Sequence, residues 1–190
     1  MAIEVERRFL VRDPKRAIAA GTILDCARIR QGYFGQVNGR KLRVRIMLDA
    51  GGHATATLTY KGPRRGICRE EYDKPIALDL AEQALSTLPT SQIIRKRRFR
   101  VYHQDGFIWF VDFFEGPNAG LVIAEIELAY PTQIFELHAW CGKEITSDRR
   151  YGNSMLARRP IRATERPWRW TRHTSAELSE QRPSSSGGPR

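Results

Sequence analysis

No apolar run in this sequence approaches the roughly 20 residues that a membrane-spanning helix needs, so a helical membrane protein is not expected. Cysteine is scarce and odd in number. Cys26, Cys68 and Cys141 lie far apart and form no C-x-x-C pair. That excludes a disulfide scaffold and a cysteine zinc site, and it suits free thiols in a reducing compartment. The four histidines, at positions 53, 103, 138 and 173, follow no metal-ligand spacing. The chain opens Met1-Ala2-Ile3-Glu4-Val5-Glu6, with early acids and no apolar leader segment. No secretory signal is therefore expected, and the expected compartment is the cytoplasm.

Acidic residues are also in short supply, 21 against 32 lysines and arginines, for a net charge of +11 over 190 residues. Residues 158–190 contain eight arginines, three glutamates and no lysine, which leaves the rest of the chain at +6. A basic body implies an anionic partner: nucleic acid, anionic lipid or a small polyanion. The length suits one domain. Residues 1–160 are expected to form it. Residues 161–190, rich in Arg, Pro, Ser and Gly, are expected to be a largely disordered tail. Within that tail, Arg166-Pro167-Trp168-Arg169-Trp170 combines basic and aromatic side chains.

What is abundant is alternation. Residues 3–11, 28–34, 41–48, 55–61, 70–75, 95–103, 107–115 and 121–130 read as strands. Asn38-Gly39, Gly51-Gly52 and Gln104-Asp105-Gly106 separate some of them as turns. Three helices are expected: one opening at Asp79-Leu80-Ala81-Glu82 and stopped by Pro89, one over 132–140 and one over 147–157. The fold class is mainly β within α+β, and eight short strands argue for a barrel or sandwich.

The strand faces opposite the apolar ones carry same-sign pairs two residues apart. Glu4/Glu6, Glu71/Asp73 and Glu125/Glu127 are acidic; Arg43/Arg45 and Lys96/Arg98 are basic. With period two, each pair points to one side of its strand. Like charges side by side repel. Two arrangements accommodate them: an open sheet with a wet charged face, or a closed barrel whose interior holds a ligand of both signs. In the second, arginine and lysine grip phosphate oxygens, and carboxylates hold Mg²⁺ or Mn²⁺.

These residues resemble a known family. Ile3-Glu4-Val5-Glu6-Arg7-Arg8-Phe9 resembles the E-x-E-x-K signature that opens the CYTH superfamily, the triphosphate tunnel metalloenzymes. Ile29-Arg30-Gln31-Gly32-Tyr33, Leu42-Arg43-Val44-Arg45, Tyr60-Lys61-Gly62 and Arg69-Glu70-Glu71-Tyr72-Asp73 resemble its next motifs, in order. Lys96-Arg97-Arg98-Phe99, Val111-Asp112-Phe113-Phe114 and Ala124-Glu125-Ile126-Glu127 resemble its later strands, and residues 146–157 its D-x-R-Y-x-N helix.

The resemblance implies an eight-stranded antiparallel closed barrel, the triphosphate tunnel, with a few flanking helices. It implies metal-dependent hydrolysis of a linear triphosphate, most simply inorganic tripolyphosphate to pyrophosphate and phosphate. Glu4 and Glu6, with Asp112 and Glu125 or Glu127, would hold Mg²⁺ or Mn²⁺. Arg8, Tyr33, Arg43, Arg45, Lys61, Lys96, Arg98, Arg149 and Arg150 would contact substrate, with Lys96 also assisting the leaving group. Asp112, Glu71 and Asp73 would orient the basic residues or position a second metal. The signature lysine is Arg8 here, the usual second glutamate of the fifth strand is Asp73, and Arg149 replaces a mouth-helix lysine; no charge is lost. Class IV adenylate cyclases and thiamine triphosphatases share the superfamily, so an organic triphosphate stays open. A non-catalytic polyphosphate- or RNA-binding module also stays open, although the carboxylate pairs make nucleic acid a poor partner. Relatives of this kind often dimerise, so a homodimer stays open, although nothing in the sequence identifies an interface.

Overall fold

The computed structural model of the chain describes residues 2–37 and 40–161. The expected Asn38-Gly39 turn and the tail beyond Ile161 lie outside the described residues. The strands are β1 (Ala2–Val11), β2 (Thr22–Val37), β3 (Arg40–Asp49), β4 (Ala54–Lys61), β5 (Cys68–Pro75), β6 (Ile94–Tyr102), β7 (Ile108–Phe114), β8 (Val122–Glu127) and β9 (Cys141–Glu144). The helices are α1 (Pro14–Ala19), α2 (Leu78–Ser86) and α3 (Asn153–Arg158).

All pairings are antiparallel, and the order β5-β4-β3-β2-β6-β7-β8-β1 closes on itself because β1 also pairs with β5. This is the closed eight-stranded barrel that the sequence implies, and closure removes the exposed edges of an open sheet. The open charged-face sheet is thereby set aside. β1 divides one edge between two partners: Ala2 to Val5 face β5, while Phe9 and Val11 face β9.

The polar interior pushes most of the apolar core outward. Phe9, Phe99, Val101, Trp109, Val111 and Ile126 form one cluster with Ala17 and Ile18 of α1 and with Trp140. Val44, Ile46 and Ala56 form another beneath Ala81 and Leu85 of α2. Only one end of the interior is apolar. There Leu10, Ile94, Phe114 and Ile123 meet Leu156 and Ala157 of α3.

Some local expectations differ from the structure. Residues 132–140 form turns and irregular chain rather than a helix. The side chains turned inward there are Phe135, His138 and Trp140, while Ile134 and Leu137 are exposed. That spacing fits no helical face. Phe135 packs on Phe9 and Trp109, and Trp140 on Trp109 with centroids 5.0 Å apart. The 147–157 helix is split at Gly152 into a 3₁₀ turn, Arg149–Tyr151, and α3. α2 starts at Leu78 with Ala77 at its N-cap, so no capping box forms; Asp79 falls in the first turn, and Glu82 pairs across with Arg30 of β2. α1 and β9 add two elements that the alternation does not reveal. No helix among the described residues is long and apolar enough to cross a membrane.

The α2 contact gives a stability test. Leu85 is 2% exposed and Leu80 54%. Leu85→Ala is expected to cost about 2–5 kcal/mol, and Leu80→Ala about 0.5 kcal/mol or less. Chemical denaturation measures both. Equal losses would contradict this packing of α2.

Candidate active site

The inward-facing side chains surround one cavity of about 900 Å³. Its acids are Glu4 and Glu6 of β1, Glu71 and Asp73 of β5, and Glu125 and Glu127 of β8. Its expected cations are Arg8, Arg43, Arg45, Lys61, Arg98 and Arg149, and Tyr33 joins them. Period-two strands deliver these groups because register aligns the pairs across the barrel wall. Glu6 stands opposite Glu127, Arg8 opposite Glu125, Lys61 opposite Glu71, and Arg43 opposite Thr59.

The interior is a network of opposite charges. Arg69 Nη2 donates to Glu4 at 3.0 Å and approaches Glu71 at 3.3 Å; Lys61 pairs with Glu71 and lies 3.8 Å from Glu4. Arg64 pairs with Glu6, and Arg8 Nε is 3.5 Å from the same carboxylate. Arg98 donates to both oxygens of Asp112 at 2.7 Å and also pairs with Glu125. Arg43 donates to the Thr59 hydroxyl at 2.7 Å, and Arg45 to the Gln31 side-chain carbonyl at 2.9 Å. Gln31 in turn donates to the Tyr33 hydroxyl at 2.9 Å.

These surroundings reset the acidities. Burial alone would raise the Glu125 carboxyl, but Arg98, Lys96, Arg8 and Arg45 outweigh it and hold it far below its ordinary value. Glu4 is likewise held down, with Lys61 and Arg69 overcoming burial. Glu127 goes the other way: burial, and then Glu4, raise it. Burial pushes the Arg45 guanidinium down, and Arg43 and Arg98 beside it add to the effect. The cations outnumber the carboxylates, and Arg45 donates to a neutral amide carbonyl rather than to a carboxylate. In addition, Arg8 Nε, Arg64 Nη1 and Arg69 Nε are buried with no hydrogen-bond acceptor among the described residues. Unmatched buried donors are costly, and an anion in the cavity would supply acceptors.

Three expected residues do not line this cavity. Lys96 and Asp112 are fully buried and paired with each other where the charged interior meets the apolar end, and Lys96 Nζ lies 5.5 Å from the Phe114 ring centroid. Burial, together with Arg98, pushes Lys96 down to about 8. Arg150 points outward and binds Asp148 at 2.7 Å, because the 3₁₀ turn places only Arg149 at the cavity. Three lining cations were not foreseen. Lys41 precedes Arg43 and Arg45 at the same period, and Arg69 precedes Glu71 and Asp73 likewise, so both carried a signal. Arg64 sits in the turn between β4 and β5, where no period marks it.

Hard oxygen donors suit a divalent cation of the Mg²⁺ type, and Glu4, Glu6, Glu125 and Glu127 fit in kind. Glu127, raised by burial first, is pushed further in the same direction by Glu4, Glu125 and Glu6. Among the described residues, however, no three of His, Cys, Asp or Glu converge as ready ligands. Arginines and a lysine hold Glu4, Glu6 and Glu125 instead.

A closed barrel with a charged, two-signed interior defines a protein built to enclose a small polyanion. The chain belongs to the CYTH domain family, whose pattern matches residues 2–159. It is 38% identical over 163 residues to the inorganic triphosphatase of Acetivibrio thermocellus, covering 85% of this chain and 97% of that protein. It is 30% identical to the inorganic triphosphatase of Nitrosomonas europaea, over 81% of this chain and 96% of that one. A solved crystal structure of an inorganic triphosphatase superposes with a TM-score of 0.58 at 26% identity, covering 83% of this chain and 95% of its own.

Glu125 supplies a pH test. A carboxyl held below its unfolded value adds stability that is complete above that value, 4.5, and is lost as pH falls through the folded one. The stability difference between wild type and Glu125→Gln should therefore shrink as pH drops below 4.5. Urea denaturation at neutral and acid pH measures it, and a gap unchanged by pH would contradict the assignment.

Proposed function

We propose that this chain hydrolyses inorganic tripolyphosphate to pyrophosphate and phosphate, with a divalent cation. The observation that carries the reading is the charge of the cavity. Nine lysines and arginines line it against six carboxylates, so it holds an excess of three positive charges in an enclosed space. A linear triphosphate removes that excess. The naming of two similar proteins as inorganic triphosphatases supports the same substrate. Tyr33 is the one aromatic side chain among the described lining residues. That leaves little to stack on a nucleobase or thiamine ring and favours an inorganic substrate over an organic one.

Phosphoryl transfer asks a protein chiefly for positioning and charge neutralisation. In this reading Arg8, Arg43, Arg45, Lys61, Arg98 and Arg149 grip phosphate oxygens, and Tyr33 contacts the substrate edge. Asp73, 3.8 Å from Arg43, and Glu71, paired to Lys61, hold those cations in place. Glu4 and Glu6, with Glu125 or Glu127, are the residues to hold Mg²⁺ or Mn²⁺. When bound, such an ion would supply Lewis acidity toward the phosphate and lower the pKa of a water. Lys96 and Asp112 act through Arg98: Asp112 accepts from it and Lys96 stabilises Asp112. Lys96 is thus a positioning residue rather than the proton donor to the leaving group. The free thiols suit the cytoplasm as the compartment.

Phosphate release from tripolyphosphate, ATP and thiamine triphosphate, each with Mg²⁺, Mn²⁺ or EDTA, tests the reading. Metal-dependent turnover of tripolyphosphate above the others is expected; cyclic AMP formed from ATP, or binding without turnover, would overturn it. Glu4→Ala combined with Glu6→Ala should abolish turnover while the barrel stays folded by circular dichroism. Arg43→Ala should lower kcat/KM by roughly ten- to a hundredfold, as expected for a lost bond to a charged group; unchanged kinetics would remove Arg43 from the site.

A further inference from the structure

The turn between β4 and β5 carries a cation that the proposed reaction has not used. Its base is fixed: Gly62 N donates to Glu70 O at 2.8 Å, Arg65 N to Cys68 O at 2.8 Å, and Gly66 takes a positive φ of 62°. Glu6 N also reaches the turn, donating to Ile67 O at 3.3 Å. Arg64 projects from this turn into the cavity and pairs with Glu6.

Three other arginines of the site, Arg8, Arg69 and Arg98, are each pinned by two partners. Arg8 donates to two backbone carbonyls, of Tyr151 at 3.1 Å and of Thr146 at 3.2 Å. Arg69 stands in ladder register with Glu4 and bridges Glu4 and Glu71. Arg98 spans Asp112 and Glu125. Arg64, by contrast, is held at one nitrogen by Glu6. Its other terminal nitrogen, Nη1, is buried with no acceptor among the described residues.

We propose that Arg64 is the resident counter-cation of Glu6: it competes with a divalent cation for that carboxylate and turns to the triphosphate once the cation is seated. Resting on the triphosphatase reading, this makes Arg64 a positioning residue that couples loading of metal to loading of substrate. A buried carboxylate without a close partner is unfavourable; Arg8 Nε lies 3.5 Å from Glu6, and Arg64 is the nearer of the two cations that hold it when metal is absent. When metal takes Glu6, Arg64 keeps its charge and has a fixed turn from which to reach a phosphate oxygen. The released guanidinium and its unused Nη1 then find acceptors together.

The test is a titration with Mn²⁺ alone, without substrate, followed by the electron paramagnetic resonance signal of the free ion. Arg64→Ala should bind Mn²⁺ roughly 5- to 150-fold more tightly than wild type, the usual span of coupling between two ligands. Arg64→Lys, which keeps the charge, should return toward wild type. KM for tripolyphosphate should rise in Arg64→Ala. In a Glu6→Gln background, Arg64→Ala should leave Mn²⁺ affinity unchanged. Equal or weaker Mn²⁺ binding by Arg64→Ala overturns the inference. So does the same gain in the Glu6→Gln background, which would mark a general field effect rather than competition for Glu6. Turnover of tripolyphosphate by the wild-type chain tests the function separately, so the two can fail independently.

Discussion

The structure depends on burying charges of both signs on the inside of a closed sheet. A carboxylate or guanidinium removed from water is unfavourable unless it is paired and hydrogen-bonded. The barrel meets this by alternating signs around its wall: Glu4 with Arg69 and Lys61, Glu6 with Arg64, Glu125 with Arg98. Having surrendered its interior to charge, the fold must find its apolar core elsewhere. It does so on the outer face, beneath α1, α2 and the 129–140 segment, and in the plug formed with α3.

The pairing is incomplete, and that incompleteness points to function. Cations exceed carboxylates around the cavity, Arg45 is pressed by its neighbours, and Arg8 Nε, Arg64 Nη1 and Arg69 Nε lack hydrogen-bond acceptors among the described residues. An interior optimised for stability alone would be apolar or fully matched. The remaining positive field suits a polyphosphate, on which charge shifts toward the leaving oxygen during phosphoryl transfer, and fixed dipoles and charges are most effective when already in place. The apolar plug beside Lys96 and Asp112 stiffens the far side of Arg98, so its guanidinium stays aimed at the cavity.

The parts of this arrangement that follow period two were legible in the sequence. Glu4/Glu6, Arg43/Arg45 and Glu125/Glu127 had to face one side of their strands, and the family resemblance identified that side as the inside of a barrel. The β6–β7 hairpin is also where its alternation and Gln104-Asp105-Gly106 put it. What period two cannot express was missed. The 129–140 segment has an apolar content that suggests a helix, yet Phe135, His138 and Trp140 turn inward at spacings set by Trp109 and Asp105. α1 did carry a start signal, since Asp13 caps the Arg16 amide and Pro14 sits in the first turn. β9 has only four residues, too few for a pattern. Depth along the tunnel was equally hidden: Lys96 and Arg98 share a face, but only Arg98 reaches the cavity. Arg64 lies on a turn, where position is set by the strands on either side and by Gly66 rather than by its own neighbours.

On the proposed function the triphosphate lies inside the barrel, between the carboxylates of β1 and β8 and the cations of β3, β4 and β6. Crystals grown with tripolyphosphate and Mn²⁺, with data collected at the manganese absorption edge, test it most directly. An anomalous peak is expected beside Glu4 and Glu6, with a chain of three phosphates along the cavity against Arg43, Arg45 and Arg98. Phosphates bound on the outer surface, with the interior ion pairs intact, would contradict it.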